Sequence, residues 1–392
     1  MGLTVAAIAL TGCVAQPGPP GYAAGPRPVS STEPAAKIAL LLPLTGSNAE
    51  LGRSMLRAAQ VALDAPDSPT LDVRDTAGTP AGAAAAVRAA LAAGAAMVIG
   101  PLTTGETQAV APLTRAANVP VLAFTSDVAQ AQPGVWTLGI TPAQQVRRLV
   151  GAVQEEGRGR IAAVLPQNPF GDALAAGLQD AMGGLAAPRV VRYGATAALS
   201  RSLAEVAEVA TRQAAVDPAI IPDPATPAMP PAVLPFDTLL LGATGASLAQ
   251  ALPLTKYDIT AAAPSAAGVR VLGPGLWARE ASRLGALTGA WYAAPDPAAR
   301  SAFTKAYTAK FGSGPRELSS LAFDAASIAR LVAQQGFAPD SLMRPEGFTG
   351  ADGLMVLGAN GQVRRGLAVF EIDRVGSRIV RPAPTSASAP GT

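Results

Sequence analysis

The chain has no histidine and a single cysteine, Cys13. Those two absences exclude a Ser-His-Asp triad, a Cys-His dyad, the usual zinc sites and any disulfide within the chain. Aromatic residues make up only 4%, so a large core has to be built from Ala, Leu and Val. Lysine appears only at Lys37, Lys256, Lys305 and Lys310, and arginine carries nearly all the positive charge. The formal net charge is +3 over 392 residues, which is weak. No basic run is dense enough for a nucleic-acid patch. The doublets Arg147-Arg148 and Arg364-Arg365 read as isolated solvated faces, and no nucleic-acid partner is expected. The catalytic signatures S-x-x-K, K-T-G, G-x-S-x-G and the P-loop are missing, and the glycine pairs at Gly242 to Gly245 and Gly273 to Gly275 do not fit G-x-G-x-x-G. The expectation is a protein that is not an enzyme and uses no metal or cofactor.

What is present begins with length and apolar content. Hydrophobic residues account for 49% of the chain, enough for two lobes. Leu3 to Gly12 is an apolar run with Cys13 directly after it. A span of about 20 residues is needed to cross a bilayer, so the run fits a secretory signal instead. Leu10-Thr11-Gly12-Cys13 resembles the bacterial lipobox, although no Lys or Arg precedes the run. The resemblance implies that residues 1–13 are a lipoprotein signal and that Cys13 is acylated. Residue 14 is Val rather than Asp, which points to the outer membrane, with the protein on its periplasmic face. Residues 14–36 are rich in Pro and Gly and read as an extended tether.

From Lys37 onward, strand-like and helix-like segments alternate. Ile38 to Leu42 is a continuous apolar run, as for a strand buried on both faces. Ser47 with Glu50 suggests a capping box, followed by Leu51, Met55, Ala59 and Ala62 at helical spacing. Thr79-Pro80 and Thr141-Pro142 each mark a helix start, with Pro where its missing N–H costs nothing. Further strands are expected at 71–75, 97–99, 119–124, 161–165, 190–193, 238–241 and 269–272. This rhythm predicts an α/β fold of mostly parallel sheets flanked by helices. Asn360-Gly361, flanked by 354–357 and 367–372, reads as a type I′ hairpin. Residues 217–235 form a Pro-rich surface loop that interrupts the rhythm, and 379–392 read as a disordered tail.

Several segments resemble the type 1 periplasmic-binding superfamily, which includes the Leu/Ile/Val-binding proteins. They are KIALLLPLTGSNAELGRSMLRAAQVAL, GAAMVIGPLTTGETQAVAPLTRAANVPVLAFTSD and GVWTLGITPAQQVRRLV. Together with VRVLGPGLWARE and GADGLMVLGANGQVRRGLAVFEI they resemble its penicillin-binding protein activator branch. The resemblance covers about 37–372. It implies two lobes joined by three hinge crossings: 37–140 with 292–350, and 141–291 with 351–378. Ligands of open α/β sheets lie at the carboxyl ends of strands. The cleft candidates are therefore Thr45, Thr103, Thr104, Thr125, Ser126, Asp127 and Phe170. Thr103 and Thr104 open a helix, where free N–H groups and the dipole favour an anion. Asp127 and Asp172 are the nearest acids for a ligand ammonium, and Trp277 is expected in core or hinge packing. The branch implies a lipoprotein that docks on a peptidoglycan synthase and regulates wall synthesis. It differs from the enterobacterial activators in having only a tether before Lys37. The alternative is the substrate-binding component of an ABC transporter for branched-chain or related amino acids, with a permease as partner. Either role allows a small-molecule ligand in the cleft.

Overall fold

The computed structural model describes residues 36–183, 187–207, 235–249 and 268–387. The signal and Cys13, the tether up to residue 35 and all but the last residue of the 217–235 loop lie outside the described residues.

Strand β1 (Lys37–Leu42) shows how the first lobe is layered. Ile38, Leu40 and Leu42 enter one core cluster, while Ala39 and Leu41 enter another on the opposite face. Alternation along a fully apolar run places helices on both sides of the sheet. The sheet adds β2 (Thr70–Asp75), β3 (Met97–Ile99), β4 (Val121–Ala123) and β5 (Val135–Thr137). Its order is β2-β1-β3-β4-β5, all parallel. Helices α1 (Ala49–Ala62), α2 (Pro80–Ala92) and α3 (Thr104–Ala116) alternate with these strands.

The second lobe repeats the logic with α4 (Pro142–Glu155), β6 (Ile161–Pro166), α5 (Pro169–Met182), β7 (Arg189–Tyr193) and α6 (Leu199–Val206). Strands β8 (Thr238–Leu241), β9 (Arg270–Gly273) and β10 (Trp291–Ala294) follow. The chain then returns to the first lobe through α7 (Pro297–Phe311) and α8 (Ser319–Ala333). A small antiparallel sheet comes next: β11 (Phe348–Gly350), β12 (Gly353–Leu357) and β13 (Val363–Arg365). Last are β14 (Ala368–Ile372) and β15 (Ser377–Arg381), which complete a seven-stranded sheet ordered β15-β14-β10-β9-β8-β6-β7.

Four expectations change against this topology. Trp291 pairs with Leu272 of β9 and Glu371 of β14, so β10 belongs to the second sheet and the crossing follows Ala294 rather than preceding residue 292. Met355, Leu357 and Val363 pack in the first lobe's core, so the segment after 350 stays with that lobe through Arg365. The partner of β12 is β13, not the 367–372 strand. Gly361 alone of the Asn360-Gly361 pair has a positive φ, which a type I′ turn requires of both. The expected tail at 379 begins inside β15, where Ile379 pairs with Phe370.

Helix starts follow the sequence at Thr79 and Thr141. Thr79 Oγ1 accepts the Gly82 N–H, and Thr141 with Gln144 forms a reciprocal capping box. The Ser47–Glu50 box does not form. Asn48 is the N-cap of α1, and Glu50 pairs instead with Arg316.

Three helices press their first turn onto the carbonyl at the end of the preceding strand. A Cβ on Gly52, Gly82 or Gly171 would lie 2.0 Å from Pro43 O, 2.1 Å from Thr76 O or 1.9 Å from Pro166 O, respectively. Glycine is required there because backbone, not a flexible side chain, fills the space. Gly52→Ala is expected to lose about 1–3 kcal/mol in urea denaturation, as overpacking that moves backbone does. An unchanged midpoint would contradict this close packing.

Three crossings join the lobes, at 138–141, 295–296 and 366–367. The arginine doublets, read above as solvated faces, turn out to be split. Arg148 is 5% exposed; its Nε donates to Leu367 O at 2.8 Å and its Nη2 to Pro382 O at 2.9 Å. Arg365 is 1% exposed, and its Nη2 donates to Leu138 O at 2.6 Å. Gln144 Nε2 donates to Val363 O. The first and third crossings are thus stitched together by side chains that reach backbone carbonyls.

Candidate functional site

The carboxyl ends of the parallel strands meet between the lobes, and two cavities open there. One, of about 410 Å³, is lined by Thr104, Ser126 and Asp127 from the first lobe and by Arg147 and Phe170 from the second. Arg364 of β13 closes its side. The other, of about 420 Å³, is lined by Thr103, Thr104, Thr125, Ser126, Arg300 and Asp352. Six of the seven expected cleft residues therefore come together. Thr45 does not. It is exposed, and its hydroxyl donates to Asp75 Oδ2 at 2.7 Å. Burial alone would raise the Asp75 carboxyl. The Ala77 N–H, the Thr45 hydroxyl and the N–H groups of Leu44 and Thr45 outweigh it and hold the group below its usual range. Thr45 ties the β1 loop to the end of β2.

Most of the remaining candidates already have partners in the chain. Thr103 is the N-cap of α3. Its N–H and hydroxyl donate to Glu106 Oε2 at 2.9 and 2.8 Å, and its Oγ1 accepts the Glu106 N–H at 3.3 Å. Glu106 is fully buried, and its Oε1 has no hydrogen-bond partner among the described residues. The helix start that would attract an anion therefore holds the chain's own carboxylate. Thr104 Oγ1 and Thr125 Oγ1 are 3.0 Å apart, and Thr125 Oγ1 accepts the Asp127 N–H at 3.1 Å. Asp127 caps a short 3₁₀ turn through the Ala129 N–H at 3.0 Å and accepts from Gln130 Nε2 at 3.3 Å. Asp172 bonds Arg192 at 2.5 Å. Ser126 is exposed, and its hydroxyl has no partner among the described residues. Phe170 is half-buried at the start of α5 and forms one apolar wall. Gly139 lets the first crossing pass against this loop: a Cβ there would lie 2.5 Å from Ser126 N.

The charged groups at the hinge were missed by sequence reasoning. Arg300 Nε bonds Asp352 Oδ1 at 2.5 Å, and Ser320 Oγ donates to Asp352 Oδ2 at 2.9 Å. Asp324 is fully buried, with Oδ1 accepting the Ala351 N–H at 2.6 Å and Oδ2 the Asp352 N–H at 3.3 Å. Burial first, then the Asp352 carboxylate, push the Asp324 carboxyl up to about 7. No sequence motif marks these residues, which come from α7, α8, the β11–β12 turn and β13. Arg279 and Glu317 form an exposed ion pair. Among the described residues no group of His, Cys, Asp or Glu is arranged to hold a metal, and no helix is long and apolar enough to cross a membrane.

No curated protein matches the chain in sequence. Solved structures do match in fold. A putative branched-chain amino acid ABC transporter protein from Rhodospirillum rubrum has a TM-score of 0.67 at 17% identity, covering 88% of this chain and 100% of that one. The C-domain of LpoA from Haemophilus influenzae, a regulator of PBP1A, has a TM-score of 0.64 at 16% identity, over 88% and 100%. The leucine-binding protein LivK of Thermotoga maritima has a TM-score of 0.53 at 18% identity, over 88% and 97%. At these identities the likeness shows the two-lobed α/β fold and no more. The family model described as Periplasmic binding protein matches residues 35–373. The chain belongs to the periplasmic binding protein family.

Proposed function

We propose that this chain is a non-enzymatic regulator in the cell envelope that docks on a peptidoglycan synthase and stimulates it. The observation that carries this reading is the filled start of α3. The Glu106 carboxylate occupies the N–H and hydroxyl of Thr103, so an amino-acid carboxylate would have to displace a buried anion. Of the acids lining the two cavities, Asp127 is engaged by its 3₁₀ turn and Asp352 by Arg300 and Ser320, which leaves exposed Asp180 on the wall of the first cavity as the acid open to a ligand ammonium. The LpoA C-domain shares this fold over its whole length, as the Rhodospirillum rubrum transporter protein does, so the fold accommodates either role. Full-length LpoA is a longer protein, of which this chain spans 59%. Acylation at Cys13 would hold the domain on the outer membrane, with residues 14–36 as its reach inward.

Two measurements separate this from amino-acid transport. Calorimetric titration of the full chain with L-leucine, L-isoleucine and L-valine is expected to give no binding at millimolar concentration. The chain is expected to raise the glycan-polymerising rate of a purified bifunctional peptidoglycan synthase from the same bacterium. Micromolar leucine binding with no effect on the synthase would replace the proposal with the transport reading. That reading requires a permease as partner and a cleft that closes on the amino acid.

A further inference from the structure

The hinge contains a cluster of four charged side chains, of which Arg300 and Asp352 reach the wall of the second cavity and Asp324 and Arg365 do not. Asp324, Asp352 and Arg365 are 0%, 1% and 1% exposed, and Arg300 reaches in from the second cavity. The cluster touches all three crossings. Arg365 immediately precedes the third and donates to Leu138 O at the start of the first. Arg300 lies in the first turn of α7, directly after the second. Buried charges of this kind are normally fully paired, yet Arg365 Nε and Nη1 have no hydrogen-bond partner among the described residues. Both acids attract that guanidinium, but neither lies within 4 Å of it. A Cβ on Gly350 would lie 2.3 Å from Asp324 Oδ1, so β11 pins this carboxyl in place.

We infer that this cluster is a proton-controlled hinge clasp, in which the protonation of Asp324 decides whether Arg365 holds the first crossing or turns to the acids. With a proton on Asp324, Arg365 is held chiefly by Leu138 O, and the first and third crossings are fastened as seen here. Loss of the proton gives two buried carboxylates facing one guanidinium with two unused N–H groups. Arg365 is then drawn off the Leu138 carbonyl and the crossings are released. The group that titrates is surrounded by few others. Asp352 faces it from the β11–β12 turn and Arg365 from β13, with Arg300 of α7 bonded to Asp352. On α1, which also packs on α8, Glu50, Arg53 and Arg57 are all exposed. Lys305 of α7 and Asp340 beyond α8 are exposed as well. Solvent screens those charges, so the switch belongs to buried Asp324, Asp352 and Arg365, with half-buried Arg300 bonded to Asp352. A ligand or partner that prefers one lobe arrangement would be coupled to the same proton. The inference goes beyond the proposed function and holds whether the partner is a synthase or a permease.

The test is the inter-lobe distance as a function of pH. Spin labels on Arg88→Cys in the first lobe and Val375→Cys in the second, with Cys13→Ser, report it by electron-electron double resonance. Both sites are exposed. Between pH 5.5 and 8.5 the distance distribution is expected to shift, with a midpoint near the value of about 7 for Asp324. Asp324→Asn should hold the low-pH distribution throughout. Asp352→Asn, which removes the like charge, should move the midpoint down by a pH unit or more. A distribution that is the same across this range in the unsubstituted hinge would overturn the inference. So would an Asp324→Asn protein that keeps the full pH response. If Asp324→Asn does not fold, the titration of the unsubstituted hinge and the Asp352→Asn midpoint still decide.

Discussion

Arg365→Leu is expected to lower stability by about 3–5 kcal/mol at pH 8, because removing one partner of a buried ionic cluster leaves the other charges uncompensated. Arg365 is 1% exposed and faces both Asp324 and Asp352 from inside the fold. Its loss also unfastens the Leu138 carbonyl. The penalty should shrink toward pH 5.5, where Asp324 can take up a proton instead. The sign for the unsubstituted protein follows the same chemistry. Asp324 is pushed up to about 7 when folded, so its proton is held more tightly there than in the unfolded chain. Its stabilising contribution is complete below the ordinary carboxyl value of about 4 and is lost as pH rises through about 7. Urea unfolding at pH 5.5 and 8 measures both effects. A loss below about 1 kcal/mol at pH 8 would mean that water already compensates the acids.

Trp277→Ala is expected to cost about 3–5 kcal/mol, the range for emptying a large buried aromatic site. Trp277 is 1% exposed and sits in the second lobe's core with Phe236, Leu239 and Tyr292. Its indole N–H donates to Ala243 O at 2.9 Å. The ring lies flat against Gly273, where a Cβ would be 2.3 Å from Cη2. The alanine variant therefore leaves a void under β9 and an unpaired carbonyl. Trp277→Phe keeps much of the apolar contact, loses the hydrogen bond, and should cost about half as much. Equal losses in the two variants would show that the hydrogen bond, rather than the packing, carries the residue's contribution.

Long-period features were legible in the sequence, and contacts between distant segments were not. The run Ile38 to Leu42 announces a strand buried on both faces, and Thr79-Pro80 and Thr141-Pro142 announce helix starts, because each signal is local. Strands β5, β10, β11 and β15 have three to five residues and little periodicity. They exist because neighbouring strands offer edges, which no window of sequence reveals. Ser47 and Glu50 carry a valid local signal that a distant ion pair with Arg316 overrides. The doublets Arg147-Arg148 and Arg364-Arg365 look like surface because arginine usually is. Arg148 and Arg365 are buried because the crossings present free backbone carbonyls that only long donors reach. At the site, the loops were found and their occupancy was not. Thr103 and Glu106 are three apart and spell a capping box, but the weight of that box lies in burial, which sequence does not print.

The order in which the sheets are completed has a consequence for the nascent chain. The second sheet places β14 and β15 beside β10, and the first lobe's core depends on β12 and β13. The first lobe cannot close until β13 has left the ribosome, nor the second until β15 has. A chain cut at residue 350 would expose the β10 edge and the apolar face that Met355 and Leu357 cover. Such products should be insoluble or rapidly degraded rather than stable half-proteins, and a delay in synthesising residues 353–381 should be more damaging than the same delay before Lys37.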